Sequence, residues 1–196
     1  FFFVLDRITG ELLSAEPFVK VNWASHYDME TGRPAINPAA RYWEKGSGRT
    51  RPGPIGAHNW QPMAFNPATG LVYIPALDNS LAYIAQEKDE FVYGAPGVMP
   101  MGLEFESTPD VELPLFSALM RYSLGGRLIA WDPVAATPRW SIEQPLTWNG
   151  GVLTTAGNLL FYGNQKGELK AVDAKTGNVL WQFNIGTGIL QSPVTY

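Results

Sequence analysis

The sequence predicts an all-β chain organised as part of a β-propeller, and three observations carry that reading. The composition is rich in turn formers and aromatics and poor in charge, with 20 Gly, 16 Pro, 13% aromatic and 16% charged residues among 196, against a usual charged fraction of about 25%. A segment returns after 41 residues: Ala130, Asp132 and Trp140 recur as Ala171, Asp173 and Trp181. Between those copies, β-forming runs alternate with breakers at roughly ten-residue spacing, four to a unit, as in a propeller blade.

The same composition excludes other classes. Intrinsic disorder needs few aromatics and high net charge. Helical bundles are scarce in Gly and Pro. A net charge of −4 and a pI of about 5.2 provide no basic field for nucleic acid. No apolar run approaches the ~18 residues that span a bilayer. The chain has no Cys, which excludes a disulfide framework, thiolate metal sites and covalently attached c-type haem within it.

Taken in order, Phe1-Phe2-Phe3-Val4-Leu5 reads as the middle of a buried strand and implies a longer protein. It leads into the turn Asp6-Arg7-Ile8-Thr9-Gly10, whose pattern returns at Asp28–Gly32, Asn66–Gly70 and in the two full repeats. Asp or Asn opens such a turn by accepting backbone N–H groups two residues on, and Gly supplies the positive φ that closes it. Apolar β-formers flank these turns, as in Leu71-Val72-Tyr73-Ile74. Residues Asn37 to Pro54, with Arg41, Lys45, Arg49 and Arg51 among Gly and Pro, are expected to form an exposed loop. Asp78 to Leu124 reads as a long insertion with a short helix near Leu115–Tyr122. Strands are then expected at Val152–Thr154, Leu159–Tyr162, Glu168–Val172 and Val179–Phe183. The Trp at blade period packs between neighbouring sheets with its N–H on a backbone carbonyl. The chain is expected to hold three to four blades of one partial propeller domain over 1–196, with the insertion at about 78–124, further blades N-terminal to it, and Ser192–Tyr196 opening another. An open arc of blades leaves edges uncovered.

The strings Gly56-Ala57-His58-Asn59-Trp60-Gln61-Pro62-Met63 and Asn66-Pro67-Ala68-Thr69-Gly70-Leu71-Val72-Tyr73-Ile74-Pro75 resemble the pyrroloquinoline quinone (PQQ)-dependent alcohol dehydrogenases. So do Leu128–Pro133, Trp148–Gly157 and Gly186-Thr187-Gly188-Ile189, in matching order and spacing over nearly the whole chain. The resemblance implies an eight-bladed quinoprotein propeller with tryptophan-docking repeats, carrying PQQ and calcium (Ca²⁺) in its central channel. It also implies oxidation of small primary alcohols to aldehydes by hydride transfer to PQQ, a cytochrome electron acceptor and a periplasmic location. Residue by residue, Asn59 and Trp60 match the Asn-Trp pair beside PQQ. Trp148 matches a channel-lining Trp, and Gly188-Ile189 the backbone that closes on the cofactor's edge. The family's catalytic base, Ca²⁺ ligands, stacking Trp and basic residue belong upstream of Phe1. No catalytic or metal-binding residue is therefore expected in this chain, and alone it is expected to be inactive.

Bland readings cover most other features. His26 and His58 lie next to turns and read as structural hydrogen-bonders, although His58 adjoins Asn59-Trp60 and a part in shaping the site stays open. Glu104, Glu106, Asp110 and Glu112 lack the tight spacing of a Ca²⁺ loop and read as a solvated acidic insertion. Gly186-Thr187-Gly188 lacks the third Gly of a dinucleotide fingerprint. A non-catalytic, protein-binding propeller is the alternative. Such propellers share the Asp-x-x-Thr-Gly-x-x-x-Trp blades but lack a string like Ala57–Pro62.

Overall fold

A computed structural model describes residues 1–85, 103–105, 123–144 and 146–195. Among the described residues the strands are, in chain order, β1 (Phe2–Leu5), β2 (Leu12–Glu16), β3 (Ala24–Tyr27), β4 (Pro34–Ile36), β5 (Ser47–Thr50), β6 (Ala64–Asn66), β7 (Leu71–Asn79), β8 (Leu81–Ala85), β9 (Leu103–Phe105), β10 (Ser123–Asp132), β11 (Thr137–Gln144), β12 (Val152–Thr154), β13 (Leu159–Gly163), β14 (Glu168–Asp173) and β15 (Val179–Asn184). Two of the sheets are four-stranded and antiparallel, β6-β7-β10-β11 and β12-β13-β14-β15. The pairs β1-β2 and β3-β4 and the three-stranded β5-β8-β9 complete the set. The described residues contain no helix long and apolar enough to cross a membrane.

The turns work as their chemistry requires. Asp132 Oδ1 accepts from Val134 N and Ala135 N, and Asp173 Oδ1 from Lys175 N and Thr176 N, all at 2.9 Å. Asp6 and Asp28 do the same in their turns. The Asn66 turn differs in place and in partners: it joins β6 to β7, whereas the two full repeats join β10 to β11 and β14 to β15. Its Oδ1 accepts from Ala68 N, and its amide also donates to Thr154 Oγ1 and Asn158 Oδ1 of the next sheet. An aspartate has no N–H to make those bonds.

Sheet β6-β7-β10-β11 is covered on both faces, and the period-two alternation of its central strands shows why. Leu71 and Tyr73 of β7 and Leu128 and Ala130 of β10 pack against Val152, Leu160, Tyr162, Val172 and Ala174 of the neighbouring sheet. The intervening Ile74, Ala76, Ile129 and Trp131 form a second cluster, joined by Phe2, Phe18 and Val19 from the other side. Both periodic sets are therefore apolar. The strands of the second four-stranded sheet lie within a residue of the expected segments, and its last strand, β15, is exposed along its whole length.

Between the two four-stranded sheets sits Trp140. Its Nε1 donates to Ala174 O at 3.1 Å, and the same carbonyl accepts from the Tyr73 hydroxyl at 2.9 Å. The indole lies flat over Gly177, where a Cβ would come within 2.9 Å of the ring. The expected packing of the repeated Trp, with its N–H on a backbone carbonyl, is found here.

The basic stretch is more ordered than a plain loop. Residues Tyr42–Lys45 form one helical turn, α1, and β5 pairs with β8 in register Gly48↔Tyr83. Arg51 donates through Nε and Nη2 to Asp78 Oδ1 at 3.2 and 2.8 Å, with both side chains about a quarter exposed. A partly buried two-point pair of this kind holds its segment against the sheet. Strand β7 runs on through Asn79, and β10 begins at Ser123, so β8 and β9 lie between the central strands of one sheet. The expected helix near 115–122 and residues Glu106, Asp110 and Glu112 lie outside the described residues.

Candidate functional site

The loop before β6 carries Asn59 and Trp60, and buried polar groups fix its course. Asn79, 4% exposed, accepts from Gly53 N through Oδ1 and donates from Nδ2 to Gly56 O. Leu77 N donates to Ala57 O, and His58 Nδ1 lies 3.0 Å from Pro75 O, to which it donates. His58 thus has the structural role expected of it, and it sets the direction of the residues that follow. Asn59 Nδ2 donates to Ile55 O at 3.0 Å and its Oδ1 accepts from Trp60 N at 2.9 Å. One amide N–H and part of the oxygen's acceptor capacity remain for another group.

The loop before β12 carries Trp148. Its ring stacks on Trp60 with centroids 4.6 Å apart and planes 19° from parallel. Trp148 is 8% exposed and Trp60 55% exposed, so one indole backs the other and the outer ring stays open. The two loops also meet through backbone, where Val152 N donates to Pro62 O at 3.2 Å. A Cβ on Gly150 would lie 2.7 Å from Gln191 O and 3.4 Å from Ile189 O. Only glycine lets the segment after β15 approach this closely.

Gly188 and Ile189 are on that segment. Ile189 N donates to Asn164 O at 2.9 Å, and the Ile189 side chain fills the space beside Gly163. Asn164, 1% exposed, holds this corner by accepting from Lys166 N and Glu168 N and donating to Glu168 Oε2. Its amide and the Lys170 ammonium keep the Glu168 carboxyl below the usual range. All five sequence-singled residues, Asn59, Trp60, Trp148, Gly188 and Ile189, thus belong to three segments brought side by side where strands β6 and β12 begin. Among the described residues no three His, Asp or Glu side chains converge as metal ligands.

Sequence reasoning passed over the residues flanking the stack. Gln61, Thr147 and Asn149 are 1%, 3% and 8% exposed. Gln61 Nε2 and Oε1, Thr147 Oγ1 and Asn149 Oδ1 are buried without a hydrogen-bond partner among the described residues. The only signal in the sequence was a polar residue beside each Trp of two Trp-bearing loops.

Two antiparallel four-stranded sheets, with a stacked pair of indoles in the loops that lead into β6 and β12, define part of a β-propeller. No family model matches the chain. Known proteins do: a quinohemoprotein alcohol dehydrogenase of Comamonas testosteroni is 46% identical over 202 residues, which is all of this chain and 27% of that protein. A 1-butanol dehydrogenase (cytochrome c) of Thauera butanivorans is 41% identical over 198 residues, 28% of its length. The solved structure of the Comamonas testosteroni enzyme superimposes with a TM-score of 0.81 at 43% identity, covering 99% of this chain and 28% of that one. A europium-containing methanol dehydrogenase gives 0.79 at 36%, over 99% and 32%. The chain is homologous to a portion of the PQQ-dependent alcohol dehydrogenases and spans about a quarter of the length of the curated relatives it matches.

Proposed function

We propose that this chain forms one wall of the cofactor site of a quinoprotein alcohol dehydrogenase that oxidises primary alcohols in the periplasm and delivers electrons to a cytochrome. The observation that carries the reading is the open Trp60 face, backed by Trp148 and flanked by the Asn59 amide. A planar, polyanionic quinone calls for such a surface: a flat apolar ring for its π-system and an amide for its oxygens. When bound, PQQ supplies the hydride acceptor, and Ca²⁺ ligands are assigned to other blades.

The chain's own residues bind and orient. Trp148 keeps Trp60 from turning, because its stacked ring occupies the inner face. Asn59, already tied to Ile55 O and Trp60 N, presents its remaining N–H in a fixed direction and loses little entropy on making a new bond. The Gly188-Ile189 backbone, anchored on Asn164, would bound the cofactor's edge. No proton transfer is assigned to a residue of this chain.

The reading is tested by grafting these 196 residues in place of the matching segment of the Comamonas testosteroni enzyme. The graft should reduce dye with small primary alcohols when PQQ and Ca²⁺ are supplied. Asn59→Ala in the graft should weaken PQQ retention on the order of tenfold, the worth of one well-aimed hydrogen bond. A folded graft that keeps PQQ and turnover unchanged with Asn59→Ala and Trp60→Ala would sink the assignment.

A further inference from the structure

The two loops that carry the stacked indoles share more than the stack. Gln61 follows Trp60, while Thr147 and Asn149 flank Trp148, and these three side chains with Arg127 line a pocket of about 10 Å³. That is room for one water. Four polar atoms of Gln61, Thr147 and Asn149 are buried there with no partner among the described residues. Buried polar groups are nearly always hydrogen-bonded, and leaving several unmet at one place is costly.

The donor set selects the occupant. Asn149 Nδ2 donates to Leu146 O at 2.7 Å, which fixes the orientation of its amide and leaves Oδ1 as a buried acceptor of a residue that lines the pocket. Gln61 offers one donor and one acceptor group, and the Thr147 hydroxyl can act either way. An anion would meet amide oxygens, and a cation would meet the Arg127 guanidinium. A neutral molecule that both donates and accepts can partner each of the three side chains.

We propose that Gln61, Thr147 and Asn149 bind a single buried water that pins the loop before β6 to the loop before β12 and so positions Trp60 against Trp148. The three are positioning residues, acting on the wall through the indoles. The inference rests on the geometry of the stack and not on what lies against its outer face, so it stands or fails separately from the cofactor assignment.

Two measurements on the whole chain decide it. A crystal structure at a resolution that places waters should show one water within hydrogen-bond distance of Gln61 and Thr147 or Asn149. An empty pocket, or one closed by Arg127, overturns the proposal. The second is the exciton couplet in the circular dichroism of the stacked indoles, assigned to the pair by its loss in Trp60→Phe. Thr147→Val removes the hydroxyl at constant shape and should abolish the couplet, as should Gln61→Met. Thr147→Ser keeps the hydroxyl and should retain it. The reverse pattern, signal kept in Thr147→Val and lost in Thr147→Ser, would mean that packing alone holds the stack. Should the variants not fold, the presence or absence of the water in the unaltered chain decides between the two.

Discussion

Trp140 and Trp181 occupy the same position in consecutive copies of one repeat, yet their surroundings are opposite. Trp140 lies over Gly177 and donates to Ala174 O across the joint between two sheets. Trp181 is 49% exposed and, among the described residues, stacks on Phe183 of its own strand, with centroids 6.2 Å apart. The difference is not in the repeat but in the neighbour. A second sheet with its turn in the right place converts an amphipathic ring from surface to joint, and among the described residues Trp140 has such a sheet beside it. The same holds for whole strands: β7 and β10 are buried on alternate faces by different neighbours, whereas among the described residues β15 is exposed along its length.

The contrast is broken most strongly by removing the indoles themselves. Trp140→Ala takes away a packed ring and a bond to a buried carbonyl and should cost about 3 kcal/mol. In these 196 residues taken by themselves, Trp181→Ala should stay within about 0.5 kcal/mol, as for an ordinary surface substitution. Chemical denaturation of the two variants beside the parent chain measures both, and equal losses would end the comparison.

The other half of the joint is tested at the glycines. Gly10 and Gly177 close the same turn at φ 76° and 74°. Around Gly10 nothing lies within 4 Å of an added Cβ, whereas at Gly177 the Trp140 ring is at 2.9 Å. Gly10→Ala should cost only the left-handed backbone penalty, about 1 kcal/mol. Gly177→Ala carries the same penalty and also lifts the indole from its seat, for a total of about 2–3 kcal/mol. Their difference in melting temperature isolates the docking.

The smallest effect is in pH. The Asp132 and Asp173 carboxyls are held below the usual range, chiefly by the backbone N–H groups of Ala135 and Thr176. Because the folded value is depressed, their contribution is fully present above the unfolded Asp value of about 3.9 and is lost as the pH falls below it through the lower folded value. Asp173→Asn keeps an oxygen for Lys175 N and Thr176 N but carries no charge. Its melting temperature should therefore decline less steeply than the parent's below about pH 4. Parallel curves would remove the carboxylate from the account of the turn.

The five turns, the strands of the last sheet and the segments that carry Asn59, Trp60, Trp148, Gly188 and Ile189 were legible in the sequence. Each is specified within a few residues, by an Asx acceptor, a glycine or an alternation of apolar side chains. Asn66 was legible as a turn former but not as a bridge, since its partners Thr154 and Asn158 lie 88 and 92 residues away. The order in the basic stretch was hidden for the same reason: β5 is short and polar, and only pairing with β8 and the Arg51–Asp78 contact make it a strand.

By itself, then, the sequence determined the class of the chain, its repeat and its family resemblance, because period, turn chemistry and composition are local quantities that survive without coordinates. Tertiary structure alone decided which of two identical tryptophans is docked, that Trp60 and Trp148 form one stack, and that Gln61, Thr147 and Asn149 share a pocket. Those facts depend on which sheet lies against which. A side chain's burial and its hydrogen-bond partners are properties of the neighbour as much as of the residue.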